Sequence, residues 1–94
     1  MIRWTDRAVR NLNQAYDYIA VSNGEETAIR ITTKILASVA ELAVFPMLGR
    51  TGRCEETREL VIPNTPFIAV YTIETAQITI LAVYHGAQRW PDVF

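Results

Sequence analysis

The chain's single histidine lies near its C-terminal end, in the stretch VYHGAQRWP. An unperturbed imidazole titrates near neutral pH, so His85 is a candidate general acid or base. Arg89 adds a cation that can stabilise the charge developing on a phosphate. The alternative is that His85 ends a strand, bonded to backbone or touching a partner. Arg89 with Trp90 would then form an interface hot spot, or Trp90 would cap the core while Pro91 ends the strand.

A second group of arginines surrounds the stretch GRTGR, which contains Arg50 and Arg53. Arginine suits planar, bidentate contacts with carboxylate or phosphate. The glycine spacing is not that of a nucleotide-binding loop, so a phosphate-holding loop and a solvated turn both remain open. Arg58 either binds phosphate or pairs with a carboxylate, because an arginine beside apolar Leu60 needs a partner if it is buried. Cys54 has no histidine at catalytic spacing and is not a credible nucleophile.

Length and composition limit the class of protein. The 94 residues are 50% hydrophobic and 20% charged, which predicts one compact domain over residues 1–94. The net charge of −1 gives little general attraction to nucleic acid, although eight of the nine basic residues are arginine. A single cysteine cannot form an internal disulfide, and no leader pattern or bilayer-length apolar run is present. We therefore expect a cytoplasmic protein with no membrane partner, no cofactor and no metal.

The first half of the chain has the hydrophobic period of two helices. After an extended start over residues 2–4, Thr5 or Asp6 can cap the first helix. The segment Ser22-Asn23-Gly24 interrupts the pattern, and the second helix is expected to end near Phe45-Pro46. The two helices should form an antiparallel hairpin. The inward-facing residues are predicted to be Ala8, Leu12, Ala15 and Ile19 in the first helix and Ala28, Ile31, Ile35, Val39 and Leu42 in the second.

The second half has the pattern of extended chain. Three segments rich in β-branched and aromatic residues are predicted strands: Thr57–Ile62, Phe67–Glu74 and Gln77–His85. Their short connections predict an antiparallel meander, preceded by an ordered loop from Met47 to Glu56. The predicted fold is α+β. A short N-terminal strand is followed by a helical hairpin packed on one face of a three-stranded sheet, in the order β-α-α-β-β-β.

The last turn of the sheet predicts which side chains share a face. A two-residue turn pairs Glu74 with Gln77 and Phe67 with Tyr84. The second face is then expected to carry Ile68, Val70, Thr72, Thr79, Leu81, Val83 and His85. Because the helices cover only the first face, the largely apolar second face predicts a partner, unless the segment from Arg89 to Phe94 folds back over it.

Four segments in this order resemble the ParE/RelE superfamily of toxins from bacterial type II toxin–antitoxin modules. They are WTDRAVRNL, LAVFPMLGR, TRELVIPNTPFIAVY and VYHGAQRWP, and the resemblance covers nearly the whole chain. It implies a hetero-oligomer with a cognate antitoxin, a short DNA-binding protein whose C-terminal tail wraps the toxin. We expect the antitoxin to place acidic residues near some of the toxin's arginines. We expect it to cover the groove beside the helices or the residues Ile68, Val70, Leu81 and Val83.

The superfamily does not share one target. RelE-like members cut messenger RNA in the ribosome and carry Lys and Arg on the middle strands, including an Arg just before the V-Y pair of the central strand. Here that pair is Val70-Tyr71 and the matching position is Ile68, while Glu59 and Val61 lie where lysines are expected.

This departure favours the ParE-like branch, whose members inhibit DNA gyrase. The alternatives are a ribosome-dependent mRNA endonuclease, with His85 and Arg89 as its catalytic groups, and a scaffold that has lost toxicity. The predicted target-binding residues are Arg50, Arg53, Arg58, His85, Arg89 and Trp90.

Overall fold

The helices precede most of the strands along the chain, as the hydrophobic periods predict. The computed structural model describes residues 1–87. Its elements are β1 (Ile2–Trp4), α1 (Asp6–Asn23), α2 (Glu25–Ala40), a 3₁₀ turn (Glu41–Ala43), β2 (Arg50–Thr51), β3 (Arg58–Val61), β4 (Phe67–Glu74) and β5 (Gln77–His85). The α+β class and the order of the predicted elements are confirmed.

Within residues 1–87, the sheet has five strands rather than the three of the predicted meander. Their order is β1-β5-β4-β3-β2, with β1 parallel to β5 and the remaining neighbours antiparallel. The predicted meander forms its centre. The N-terminal strand joins one edge, and two residues of the expected loop, Arg50 and Thr51, pair with Glu59 and Arg58 at the other edge.

The ends of the helices follow from local chemistry. The Thr5 hydroxyl accepts a hydrogen bond from the Ala8 amide at 3.1 Å, so Thr5 is the cap of α1. Gly24 adopts a φ of 95°, a conformation that suits glycine, and reverses the chain directly into α2. The second helix ends at Ala40, earlier than the predicted Phe45-Pro46, because its last turn tightens into the 3₁₀ turn.

The core lies between the helical hairpin and one face of the sheet. The apolar stripes predicted for both helices point into it, with Leu12, Ala15 and Ile31 only partly buried. Its fully enclosed members include Ala8, Ala28, Ile35, Leu42, Ile62, Ala69, Tyr71 and Ile80.

A β-bulge at Leu81 changes the predicted register of the last hairpin. Glu74 pairs with Gln77 as predicted, but Tyr71 pairs with Ile80 and Val70 with Ala82, so Leu81 has no residue opposite it. Beyond the bulge each partner on β5 moves by one residue. Phe67 therefore pairs with His85, and the predicted pairing of Phe67 with Tyr84 is wrong.

Two side chains, one from the cap of α1 and one from its second turn, contact the backbone around this bulge. The Thr5 hydroxyl that caps α1 donates to the Leu81 carbonyl oxygen at 3.1 Å. One turn further along α1 from Ala8, Asn11 accepts a hydrogen bond from the Val83 amide at 3.1 Å. Polar groups of the buried backbone need such partners, so the helix stabilises the irregular strand on which it packs.

The bulge also exchanges the two faces at the end of β5. Val83 belongs to the core under the helices, whereas Ala82 and Tyr84 form a second buried cluster with Val70 on the opposite face. The predicted placement of Val83 and His85 on the second face is therefore wrong, because an extra residue reverses the alternation of side chains.

The second face is also less open than predicted. Val70 and Ala82 are fully buried, and only 9% of Ile68 and 8% of Tyr84 is exposed. The expectation of a broad exposed apolar face is wrong for these residues. The alternative, that the segment from Arg89 to Phe94 covers the face, concerns residues outside the described part of the chain.

The hydroxyl of Tyr71 holds the loop that follows the 3₁₀ turn. It accepts a hydrogen bond from the Gly49 amide at 2.9 Å and donates one to the Pro46 carbonyl oxygen at 2.8 Å. A Cβ atom at Gly49 would lie 2.6 Å from this hydroxyl, so the close approach requires glycine. The loop is thus fastened to the centre of the sheet by a fully buried side chain.

We predict that Tyr71→Phe lowers the free energy of unfolding by about 1–3 kcal/mol, because it leaves the Gly49 amide and the Pro46 carbonyl without this partner. Urea denaturation measures the change. Tyr18→Phe is the matched control, since Tyr18 is 73% exposed, and it should stay within about 0.5 kcal/mol of wild type. A Tyr71→Phe variant as stable as wild type would contradict the role of the hydroxyl.

Candidate functional site

Three charged residues at the β2–β3 edge form a cluster that we call the arginine clamp: Arg50, Arg53 and Glu59. Glu59 is only 3% exposed. Its Oε1 accepts from Nε and Nη2 of Arg50 at 3.2 and 3.0 Å. Its Oε2 accepts from the backbone amide and Nε of Arg53 at 2.9 and 3.3 Å. The buried carboxylate therefore orients two guanidinium groups at once.

The electrostatics of the clamp favour the ionised carboxylate. Burial raises the pKa of Glu59, but the Arg53 amide and the two guanidinium groups act in the opposite direction and bring the pKa below its ordinary value of 4.5. Two guanidinium groups against one carboxylate leave the clamp with a net positive charge. The arginine side chains are 56% and 49% exposed, so this charge lies at the surface.

The clamp corrects two expectations for the arginines. Arg50 and Arg53 do not form a merely solvated turn, since both contact Glu59. Arg58 lies on the other face of β3, because side chains alternate along a strand. It donates from Nε to the Gly49 carbonyl oxygen at 3.0 Å and from Nη2 to that of Met47 at 3.2 Å. The predicted carboxylate partner of Arg58 is therefore wrong, and backbone carbonyl groups take its place.

His85 is the last residue of β5, away from the β2–β3 edge. It lies on the rim of a cleft between α1 and β5. The cleft has a volume of about 420 Å³. Its floor is apolar, and its rim is polar except for Ala87. The floor consists of Ala15, Phe67 and Val83, and the rim of Asn11, Gln14, Tyr18, His85 and Ala87.

The contacts of His85 agree with a strand-end role. Its Nδ1 accepts a hydrogen bond from the Ala87 amide at 3.0 Å. The ring packs edge-on against Phe67, with centroids 5.6 Å apart. These contacts agree with the alternative in which His85 ends a strand and bonds to backbone. Among the described residues that line the cleft, none is charged, so they offer no cation to hold a phosphate beside this imidazole.

The candidate residues are thus divided between separate places. Arg50 and Arg53 lie together at one edge of the sheet, whereas His85 lies under α1. Arg89 and Trp90 fall outside the described residues. Of the residues expected to meet an antitoxin, Ile68, Val70 and Leu81 are on the face opposite the helices and Val83 is under the cleft. Whether an antitoxin contacts them stays a prediction.

Sequence reasoning did not identify Asn11 as a wall of the cleft. The only signal is a polar residue on the flank of the apolar stripe of α1.

Within residues 1–87, no group of His, Cys, Asp and Glu side chains is arranged to hold a metal ion. In the same residues, neither helix combines the length and the apolar character needed to cross a membrane.

Comparison with known proteins places this fold in a family. A family model described as the ParE toxin of type II toxin–antitoxin system, parDE, matches residues 2–90. A protein of Sinorhizobium fredii named "Putative toxin Y4kP" is 41% identical over 92 residues, covering 98% of this chain and 94% of that protein.

Two solved structures are similar in fold. A chain of the chromosomal ParDE toxin–antitoxin system from P. aeruginosa superimposes with a TM-score of 0.82 and 27% identity, covering 89% of this chain and 92% of its own. A chain of the toxin–antitoxin complex RelBE2 from Mycobacterium tuberculosis has a TM-score of 0.53 and 22% identity, covering 94% of this chain and 92% of its own. The similarity to the RelBE2 chain supports a shared fold and nothing more.

The pKa of Glu59 leads to a prediction about stability and pH. Because the folded-state pKa is below the ordinary value of 4.5, the stabilisation is present above that value and is lost as the pH falls through the lower, folded-state pKa. Urea denaturation between about pH 7 and pH 3 should show this decline.

Glu59→Gln should be less stable than wild type at neutral pH and should show a smaller decline in acid. Glu55→Gln is the matched control, since Glu55 is exposed, and it should keep the wild-type profile. Equal stability of Glu59→Gln and wild type at every pH would argue against the clamp.

Proposed function

Because the chain belongs to the ParE toxin family of type II toxin–antitoxin systems, we propose that it arrests growth by binding and inhibiting DNA gyrase. A cognate antitoxin keeps it silent in a hetero-oligomer. The ParE-like branch implies gyrase rather than the ribosome as the target. The toxin acts in this proposal as a binding protein, without a catalytic step of its own.

One observation carries the choice between the two targets. Cleavage of RNA needs cations at the phosphate and groups that move protons. In the described residues, the centre of the sheet face opposite the helices consists of Val70 and Ala82, both fully buried. The cations at its edge, Arg50 and Arg53, already contact Glu59. This face therefore resembles a packed surface more than a phosphate-binding platform.

His85 does not supply the missing chemistry in this proposal. It lies on the helix side of the sheet, away from Arg50 and Arg53, because the bulge at Leu81 reverses the alternation of β5. A general acid or base on one face cannot serve a phosphate held on the other. We therefore place His85 among the groups that shape a contact surface.

We assign the cleft beside α1 to the antitoxin. It is the groove beside the helices that the family resemblance leads us to expect, and its apolar floor suits an apolar side chain of a wrapping segment. Asn11 and His85 on the rim add polar groups that can fix the orientation of such a segment.

We predict that the purified toxin inhibits supercoiling by DNA gyrase and leaves ribosome-bound transcripts intact. Supercoiling and transcript-cleavage assays run side by side distinguish the two targets. The control is the same toxin mixed beforehand with its antitoxin, which should restore supercoiling. Transcripts cut within codons, together with unaffected gyrase, would replace this proposal with a ribosome-dependent nuclease.

We also predict that Arg89→Ala and Trp90→Ala reduce growth arrest while the fold stays intact, because both residue types concentrate binding energy at interfaces. Growth after induction gives the effect, and the urea midpoint checks the fold. Arg30→Ala on the exposed surface of α2 is the control. Full growth arrest by both variants would remove the C-terminal segment from the target contact.

A further inference from the structure

Four large apolar side chains project into solvent from one short segment, which we call the apolar loop: Val44, Phe45, Met47 and Leu48. Their exposed fractions are 71%, 60%, 64% and 50%. The segment follows the 3₁₀ turn and precedes β2. Single exposed apolar residues are common on proteins, but four in five consecutive positions form a patch, and such patches mark interaction sites.

The apolar loop is exposed although its backbone is firmly held. The amide of Phe45 donates to the Glu41 carbonyl oxygen at 2.9 Å, and that of Leu48 to the Phe45 carbonyl oxygen at 3.1 Å. Tyr71 bonds the Pro46 carbonyl oxygen, and Arg58 bonds that of Met47. Because the backbone is already ordered, a partner that binds here incurs little further loss of conformational entropy.

Arg50 of the arginine clamp follows the apolar loop along the chain after a single residue. The chain passes from Leu48 through the buried Gly49 to Arg50, where β2 begins. The two bonds from Arg50 to Glu59 use two of the five N–H donors of its guanidinium group. The clamp therefore presents oriented positive charge at the surface, close in sequence to the apolar loop.

We propose that the apolar loop and the arginine clamp form one docking surface for a segment of the antitoxin that carries apolar side chains next to a carboxylate. The inference rests on the proposed function, since it takes the antitoxin as the resident partner. Guanidinium groups can bind carboxylates in a planar, bidentate manner, and the bonds from Arg50 to Glu59 use Nε and Nη2 but not Nη1.

Two observations favour an acidic peptide of a permanent partner. Nucleic acid needs an extended basic surface, whereas the clamp contains Glu59, and the exposed Glu55 and Glu56 lie between Arg53 and Glu59 in the sequence. Permanent interfaces are more apolar than transient ones, and a surface this apolar is suited to a partner that stays bound. If the apolar loop bound only the toxin's target, it would remain exposed to solvent whenever the toxin is held by its antitoxin. Binding of the antitoxin at the loop avoids this exposure.

The test compares surface variants of the toxin in their affinity for the purified cognate antitoxin, measured by titration calorimetry. We expect the double variant Phe45→Ser, Met47→Ser to bind roughly tenfold more weakly or worse. The matched control is Val21→Ser, which is 90% exposed on α1 and should bind within about twofold of wild type. The substituted side chains are mostly exposed, so the urea midpoint should not change.

A second pair of variants examines the charge. Arg53→Gln should weaken binding and reduce its dependence on salt, whereas Arg30→Gln on α2 should do neither. Wild-type affinity in both the double variant and Arg53→Gln would overturn the docking surface. Weaker growth arrest with unchanged antitoxin affinity would also overturn it, because the surface would then belong to the target. A wild-type chain that did not bind the antitoxin at all would overturn the proposed function itself.

Discussion

The bulge at Leu81 controls how the end of the sheet meets the helices. One extra residue on β5 turns Val83 and His85 toward α1 and turns Ala82 and Tyr84 away from it. The helix in turn stabilises the bulge, since Thr5 bonds the Leu81 carbonyl oxygen and Asn11 the Val83 amide. The same Thr5 caps α1, so the start of the helix and the irregularity of the strand depend on one side chain.

Within residues 1–87, this exchange of faces places His85 and the arginine clamp on opposite sides of the sheet. The imidazole of His85 lies on the rim of a cleft with an apolar floor, and the paired cations lie at the far edge of the sheet. The imidazole and the two guanidinium groups are far apart because β5 and β2 are separated by two strands in the sheet order.

The contacts within the arginine clamp pair a buried carboxylate and at the same time orient two cations at the surface. Glu59 is satisfied by Arg50 and Arg53 within the fold, and the same bonds hold the two cations in fixed positions at the surface. Tyr71 and Arg58 hold the backbone of the neighbouring loop from beneath while its apolar side chains face solvent. Rigid support of exposed anchors is a common property of protein interfaces.

The sequence by itself determined the order of the elements, the apolar stripes of both helices and the strands Phe67–Glu74 and Gln77–His85, because hydrophobic period and turn chemistry are local properties. The family resemblance was also carried by short segments of the chain. Tertiary structure decided the partners of Arg50, Arg53 and Arg58, the extra strands at both edges, and the side of the sheet on which His85 lies. These depend on contacts between residues distant in sequence, such as those by which Thr5 and Asn11 satisfy backbone groups of β5 at the bulge.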